Sequence, residues 1–72
     1  MKVTKEDARR VCELFRDEDG DLCVKRRAVL DKIRINYECS EDEADAALTL
    51  LVRAKAIEMV YGNNEIYICD PI

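Results

Sequence analysis

The segment from Ser40 to Lys55, SEDEADAALTLLVRAK, most constrains how this chain can fold. It opens with the S-x-x-E pattern of a capping box, in which Ser40 and Glu43 would each accept a hydrogen bond from a backbone N–H at the start of a helix. At about 100° per residue, its apolar residues fall on one stripe. That stripe comprises Ala44, Ala47, Leu48 and Leu51. The sequence therefore predicts an amphipathic helix that must bury this stripe.

The opposite face of this helix is polar, and it is the face that a partner would meet. It comprises Asp42, Asp45, Ala46, Thr49 and Arg53. Four of the first six residues of the segment are acidic, and acids at a helix N-terminus complement the macrodipole. A cap with a solvated face is one interpretation. The other is an acidic docking face.

The first part of the chain has two further helical patterns. Thr4 and Asp7 have the spacing of a capping box, and the apolar positions that follow predict a helix from Lys5 to Asp17. These positions are Ala8, Val11, Cys12 and Phe15. The polar residues 17–21 predict a turn, with Gly20 free to adopt a positive φ.

A short strand is predicted at Leu22-Cys23-Val24, followed by a second helix from about Lys25 to Arg34. The inward positions of this helix are Val29, Leu30 and Ile33. It opens with Lys25-Arg26-Arg27, although cations at a helix N-terminus oppose the macrodipole. These cations can serve solubility alone. Alternatively, they form a site for an anion or an acidic partner.

Residues 57–61 and 65–69 predict two strands of a hairpin around Gly62-Asn63-Asn64, because two asparagines suit the positive φ values of a type I′ turn. This turn would pair Tyr61 with Ile66, Val60 with Tyr67 and Met59 with Ile68. One face is then expected to meet the core, namely Ile57, Met59, Tyr61, Ile66 and Ile68. The other carries Glu58, Val60, Tyr67 and Cys69.

Composition predicts a single domain over residues 1–72. The chain is 49% hydrophobic and 39% charged, with only two glycines and one proline, which is typical of a compact helical or mixed domain. A domain of this size has room for one core. No apolar run approaches the roughly 20 residues of a membrane span, and the first residues lack the apolar region of a signal peptide. We therefore expect no membrane contact and a cytoplasmic or nuclear location.

The two halves of the chain differ in charge. Residues 1–37 hold ten Lys/Arg and eight Asp/Glu, whereas residues 38–72 hold two and eight. Nucleic-acid binding needs a local basic patch, and the first half supplies the candidates. They are Arg9, Arg10, Lys25, Arg26, Arg27, Lys32 and Arg34.

The residue types needed for catalysis or metal binding are sparse. The chain has no histidine, and its four cysteines, at positions 12, 23, 39 and 69, form no C-x-x-C pair, so neither zinc nor another metal is expected. No glycine-rich phosphate loop or nucleophile–base pair is evident. We expect no catalytic residues, no enzyme activity, no cofactor and reduced thiols.

The order helix, short strand, helix, helix and hairpin resembles a winged helix-turn-helix. Residues 29–69 carry the resemblance, which implies an α+β fold of three helices with a short strand and a C-terminal β-hairpin wing. Glycine is usual in that family where this chain has Ala56. The run Tyr37-Glu38-Cys39-Ser40-Glu41-Asp42, followed by a hairpin that starts at Ile57, is most similar to the winged-helix tails of archaeal replicative helicases such as MCM.

Two functions follow as hypotheses. The first is a non-enzymatic module in a DNA-linked process, transcription or replication, that binds a protein with a basic surface. Its contact residues would be Glu41, Asp42, Asp45, Thr49, Arg53, Val60 and Tyr67, with Leu50 as a further anchor. The alternative is a transcriptional regulator that binds double-stranded DNA through the seven basic candidates, with a homodimer enlarging the patch. The acidic third helix counts against it, since acids near phosphates add repulsion.

Overall fold

A computed structural model describes residues 3–72 of the chain. They form a small α+β domain with three helices and a three-stranded antiparallel sheet. In chain order the elements are α1 (Lys5–Glu13), β1 (Cys23–Lys25), α2 (Arg26–Tyr37), α3 (Glu41–Arg53), β2 (Glu58–Gly62) and β3 (Glu65–Cys69). Within residues 3–72, no helix is long and apolar enough to cross a membrane.

Both predicted capping boxes are present. The Thr4 hydroxyl accepts a hydrogen bond from the Asp7 N–H at 3.1 Å, and the Asp7 carboxylate accepts from the Thr4 N–H at 3.1 Å. At α3, the Ser40 hydroxyl accepts from the Glu43 N–H at 3.2 Å, and Glu43 accepts from the Ser40 N–H at 3.1 Å. These reciprocal bonds satisfy N–H groups that have no partner within the helix.

The predicted ends of α1 and α2 were wrong by several residues. α1 ends at Glu13 rather than Asp17, because the N–H groups of Leu14 and Phe15 bond the carbonyls three residues back, at 3.0 Å each, and tighten the last turn. α2 continues past Arg34 to Tyr37. Tyr37 lies four residues after Ile33 and packs against the core, so the apolar stripe extends the helix by one turn.

α3 ends in a Schellman motif. The Ala56 N–H donates to the Leu51 carbonyl and the Lys55 N–H to the Val52 carbonyl, both at 3.0 Å. Lys55 takes the left-handed conformation that this motif requires, with φ of 61°. Since the helix finishes at Arg53, its predicted extent to Lys55 includes this cap.

The sheet has the strand order β1-β3-β2. The predicted hairpin register is confirmed, with Val60 opposite Tyr67 and Met59 opposite Ile68. The turn residues Asn63 and Asn64 have φ of 50° and 64°, as a type I′ turn requires. β1 pairs with the other side of β3, which places Lys25 opposite Tyr67 and makes β3 the central strand.

The core lies between the helices and one face of the sheet. All four residues of the predicted α3 stripe are at most 2% exposed, as are Val29, Leu30 and Ile33 of α2. From the sheet, Ile68 is fully buried and Met59 is half-buried against the core. The prediction that Tyr61 joins this core was wrong, since the side chain is 75% exposed. Tyr61 lies near the turn, opposite Ile66, which is itself only half-buried.

Candidate functional site

The basic start of α2 lies against the acidic start of α3. Arg26 donates to the Asp45 carboxylate, and Arg27 Nη1 donates to Glu41 Oε1 at 2.5 Å. Arg34 Nη1 lies 3.9 Å from the same Glu41 oxygen. The basic residues predicted to bind DNA and the acidic residues predicted to bind a protein are therefore in contact with each other.

Asp31 completes this ion-pair cluster, which consists of Arg26, Arg27, Asp31, Arg34, Glu41 and Asp45. Asp31 Oδ1 is 3.8 Å from both Arg27 Nη1 and Arg34 Nη1. The hydrogen bond from Arg27 lowers the pKa of Glu41 and raises the pKa of Arg27. Charge within the cluster is balanced, with three arginines facing three carboxylates.

The other predicted basic residues are distributed over the surface. Arg9 is 4.0 Å from Glu6, Arg10 is 3.7 Å from Asp7, and Lys25 is 4.0 Å from Glu65. Among residues 3–72, Lys32 is the one member of the seven with no carboxylate within 4.0 Å. The candidate nucleic-acid residues thus have acidic neighbours in six of seven cases.

The outer face of α3 remains accessible in part. Asp42, Ala46 and Arg53 are exposed, whereas Asp45 and Thr49 are half-buried. Neither Asp42 nor Arg53 forms an ion pair with any residue in the described part of the chain. Glu41 and Asp45 are paired with arginines of α2, and Glu43 is part of the cap. Asp42 is therefore the carboxylate at the start of α3 that remains available to a partner.

The hairpin tip lies beside the ion-pair cluster. Arg26 and Arg27 line a shallow depression together with Asn64, Glu65 and Ile66. The same three hairpin residues line a second depression with Tyr61 and Gly62. The starts of α2 and α3 and the hairpin tip therefore form one continuous region, which we call the composite surface. Its members are the ion-pair cluster, Asp42, Tyr61, Asn64, Glu65 and Ile66.

Val60 and Tyr67 occupy the outer face of the sheet. They are direct cross-strand partners, and Lys25 continues the row on the other side of Tyr67. Val60 is 41% exposed and Tyr67 is half-buried. The two predicted hairpin contacts thus lie on the opposite side of the sheet from Tyr61, and Lys25 in the same row lies 4.0 Å from Glu65 of the composite surface.

Tyr61 is the surface residue that sequence reasoning missed. Strand alternation assigns it to the inward face, and its side chain does follow that alternation. The relevant signal is its position one pair before the turn, opposite Ile66, at the end of the hairpin that is farthest from the half-buried Met59 and the buried Ile68. An exposed tyrosine combines a large apolar ring with a polar tip, which suits a binding surface.

The carboxylates of Asp17, Asp19 and Asp21 have oxygens within 4.8 Å of one another, and all three residues are exposed. Their arrangement is explained by the turn itself, since Asp17 Oδ1 accepts from the N–H groups of Asp19 and Asp21 at 2.9 and 3.0 Å. The expectation of no metal and no cofactor stays a prediction.

Comparisons with protein-family models, with curated proteins and with solved structures give no significant match to this chain.

Proposed function

We propose that this chain is a non-enzymatic winged-helix module that binds a partner protein through the composite surface. The element order and the sheet order β1-β3-β2 support a winged-helix arrangement, in which β2 and β3 are the wing and α3 is the third helix. Fold alone assigns no function. The surface chemistry supports the protein partner.

The observation that carries the proposal is the pairing of six of the seven candidate DNA-binding cations with carboxylates. DNA affinity depends on cations that replace the counterions around phosphates. Exposed ion pairs are individually weak, so a phosphate could displace a carboxylate. The carboxylate would nevertheless stay nearby and repel the phosphate. Each cation at the start of α2 therefore contributes less to DNA affinity than an isolated arginine would.

The composite surface is better suited to binding a protein than to binding DNA. Tyr61 supplies an exposed aromatic anchor, of the kind enriched at interface hot spots. Asp42 has no cation partner among the described residues, so the start of α3 keeps a negative charge. A partner with an apolar pocket flanked by Lys or Arg fits this combination, and the charges would mainly accelerate and orient its association.

The protein partner is tested by affinity capture with the wild-type chain, followed by direct binding measurements on the proteins retained. We expect Tyr61→Ser and Asp42→Lys each to weaken the binding of the same partner. Glu18→Lys is the matched control, because it makes the same charge change in the exposed 17–21 turn. A partner that binds Tyr61→Ser and Asp42→Lys as well as the wild type would contradict the proposal.

DNA binding is tested by titration with a duplex at low salt. We expect weak binding by the wild type. The double variant Glu41→Gln with Asp45→Asn removes the hydrogen-bonded carboxylates of Arg26 and Arg27 and leaves Arg27 only the 3.8 Å contact with Asp31, so it should bind more tightly. Its log–log salt slope should steepen by about two, since each phosphate contact adds about 0.9. Tight wild-type binding that is steeply salt-dependent and lost in Arg26→Glu would establish the DNA alternative instead.

A further inference from the structure

Two of the four cysteines face each other across the sheet. Cys23 in β1 and Cys69 in β3 are direct cross-strand partners, and their Sγ atoms are 3.7 Å apart. Both thiols are free, and Cys23 is exposed to solvent. This pair lies outside the composite surface and has no part in the proposed function.

The local register suits a covalent link between them. The Asp70 N–H donates to the Leu22 carbonyl at 3.3 Å, and the Leu22 N–H donates to the Asp70 carboxylate at 3.1 Å, so Leu22 and Asp70 make one of the two backbone bonds of a hydrogen-bonded position in the ladder. Cys23 and Cys69, one position further, are then a non-hydrogen-bonded pair, for which Cα atoms lie about 4.5 Å apart. Disulfides span Cα distances of about 4.4 to 6.8 Å. The sulfurs can therefore reach bonding distance mainly by side-chain rotation.

The other two cysteines lack this arrangement. Cys12 is buried, and burial raises the pKa of its thiol from 9.0 to about 11. The Cys39 thiol lies 3.9 Å from the Ile33 carbonyl. Burial and the neighbouring Cys23 raise the pKa of Cys69. Cys23 is exposed and Cys69 is half-buried, and a cysteine must be accessible to react, so Cys23 is the thiol that a reagent meets first.

We propose that Cys23 and Cys69 form a reversible disulfide, which clips the short edge strand β1 to the central strand β3. The oxidant is a low-molecular-weight disulfide such as oxidised glutathione. The Cys23 thiolate attacks one of its sulfurs, forming a mixed disulfide and releasing one glutathione thiolate. The Cys69 thiolate then attacks the Cys23 sulfur and releases the second. Two protein thiols are oxidised, one reagent disulfide is reduced, and the two protons pass to the released thiolates.

The clip would close a loop of roughly 46 residues, and long loops gain the most from cross-linking. It would also hold β1, which has only three residues and leads directly into Arg26 at the start of α2. The stabilisation that is usual for a disulfide closing such a loop corresponds to a rise of roughly 10 to 30 °C in Tm for a domain this small.

The test treats the fully reduced chain with oxidised glutathione and follows it by intact mass, peptide mapping without reductant and thermal unfolding. We expect a monomer that has lost two hydrogen atoms, a Cys23–Cys69 peptide and the higher Tm, all reversed by dithiothreitol. Cys39→Ser, the matched control, should behave like the wild type. Cys23→Ser should instead stop at a glutathione adduct or remain reduced.

Four results would overturn the proposal: a persistent mixed disulfide on the wild type, a disulfide-linked dimer, an internal disulfide that uses Cys12 or Cys39, or a Tm that fails to rise when the Cys23–Cys69 bond forms. Because Cys23→Ser is a small exposed change, its reduced Tm should match that of the reduced wild type. That comparison separates loss of the clip from a folding defect.

Discussion

The starts of α2 and α3 differ in how their backbone N–H groups and their charges are satisfied. α3 begins with Ser40 and Glu43 in a reciprocal cap and has three acids in its first turn. α2 has Lys25 at its N-cap position, with no side-chain capping bond, and has no acid in its first turn. The cations that open α2 are instead neutralised by Glu41 and Asp45 of α3. One helix start is stabilised locally, and the other is balanced through tertiary contacts.

This difference changes how the charge pattern of the chain should be interpreted. The excess of acids in the second half lies partly opposite the cations of the first half, through ion pairs that join Arg26 to Asp45, Arg27 to Glu41, Lys25 to Glu65 and Arg16 to Asp70. The acidic residues of α3 and the basic residues of α2 therefore form ion pairs with each other within the domain. The charge asymmetry helps align the halves of one fold.

Burial should matter more than either helix start. Leu30 of α2 and Leu48 of α3 are fully buried, so Leu30→Ala and Leu48→Ala should each lower the free energy of unfolding by about 2 to 5 kcal/mol. Chemical denaturation measures both. Ile35→Ala is the control, because Ile35 is 73% exposed on α2 and should change stability by less than about 0.5 kcal/mol. A mild effect at Leu30 alone would mean that α2 is held mainly by its ion pairs.

The contrast between the two caps predicts unequal responses to alanine. Ser40→Ala removes the acceptor for the Glu43 N–H and should cost about 1 kcal/mol. Lys25→Ala removes no cap and only a distant, exposed pair with Glu65, so its cost should be within about 0.5 kcal/mol. Urea unfolding of the two variants in parallel measures this difference. Equal losses would show that Lys25 supports α2 in a way that its geometry does not reveal.

The ends of these helices are alike, unlike their starts. A left-handed residue follows each helix, namely Glu38 with φ of 48° after α2 and Lys55 with φ of 61° after α3, a conformation that glycine adopts without steric strain. Lys55→Gly and Glu38→Gly should each raise stability by about 0.5 to 1 kcal/mol. The controls Lys55→Ala and Glu38→Ala keep the Cβ atom and should give no such gain. Destabilisation by either glycine would indicate that the side chain makes a compensating contact.

Local patterns predicted the features that depend on neighbours in sequence. Capping boxes, apolar stripes and the Asn63-Asn64 turn each involve residues a few positions apart, so the caps, the buried residues and the hairpin register followed from the sequence. Features that depend on tertiary placement did not. The pairing of Arg26 with Asp45 joins residues 19 positions apart, and the Cys23–Cys69 contact joins residues 46 apart. The exposure of Tyr61 depends on how far the helices extend over the sheet.

The smallest predicted effects concern pH and salt, and they separate the two kinds of helix start. The pKa of Glu41 is lowered mainly by Arg27, and that of Glu43 mainly by the backbone of Ser40. Because both folded-state pKa values lie below the ordinary 4.5, the carboxylates stabilise the fold above pH 4.5. This stabilisation is lost as the pH falls through the lower folded-state values.

Salt should distinguish the two carboxylates at neutral pH. The Glu41–Arg27 pair is exposed and is screened by added salt, whereas the Glu43–Ser40 bonds lie within one helical turn and are screened less. Tm measured in low and high salt should therefore fall by a smaller amount in Glu41→Gln than in the wild type. Glu43→Gln, which can still accept the capping bond, should keep the wild-type salt response. The opposite result would be a salt-dependent fall in Tm that is reduced in Glu43→Gln and unchanged in Glu41→Gln. It would show that the acids of α3 stabilise their own helix rather than pair with α2, so that the arginines of α2 would be free to bind phosphate.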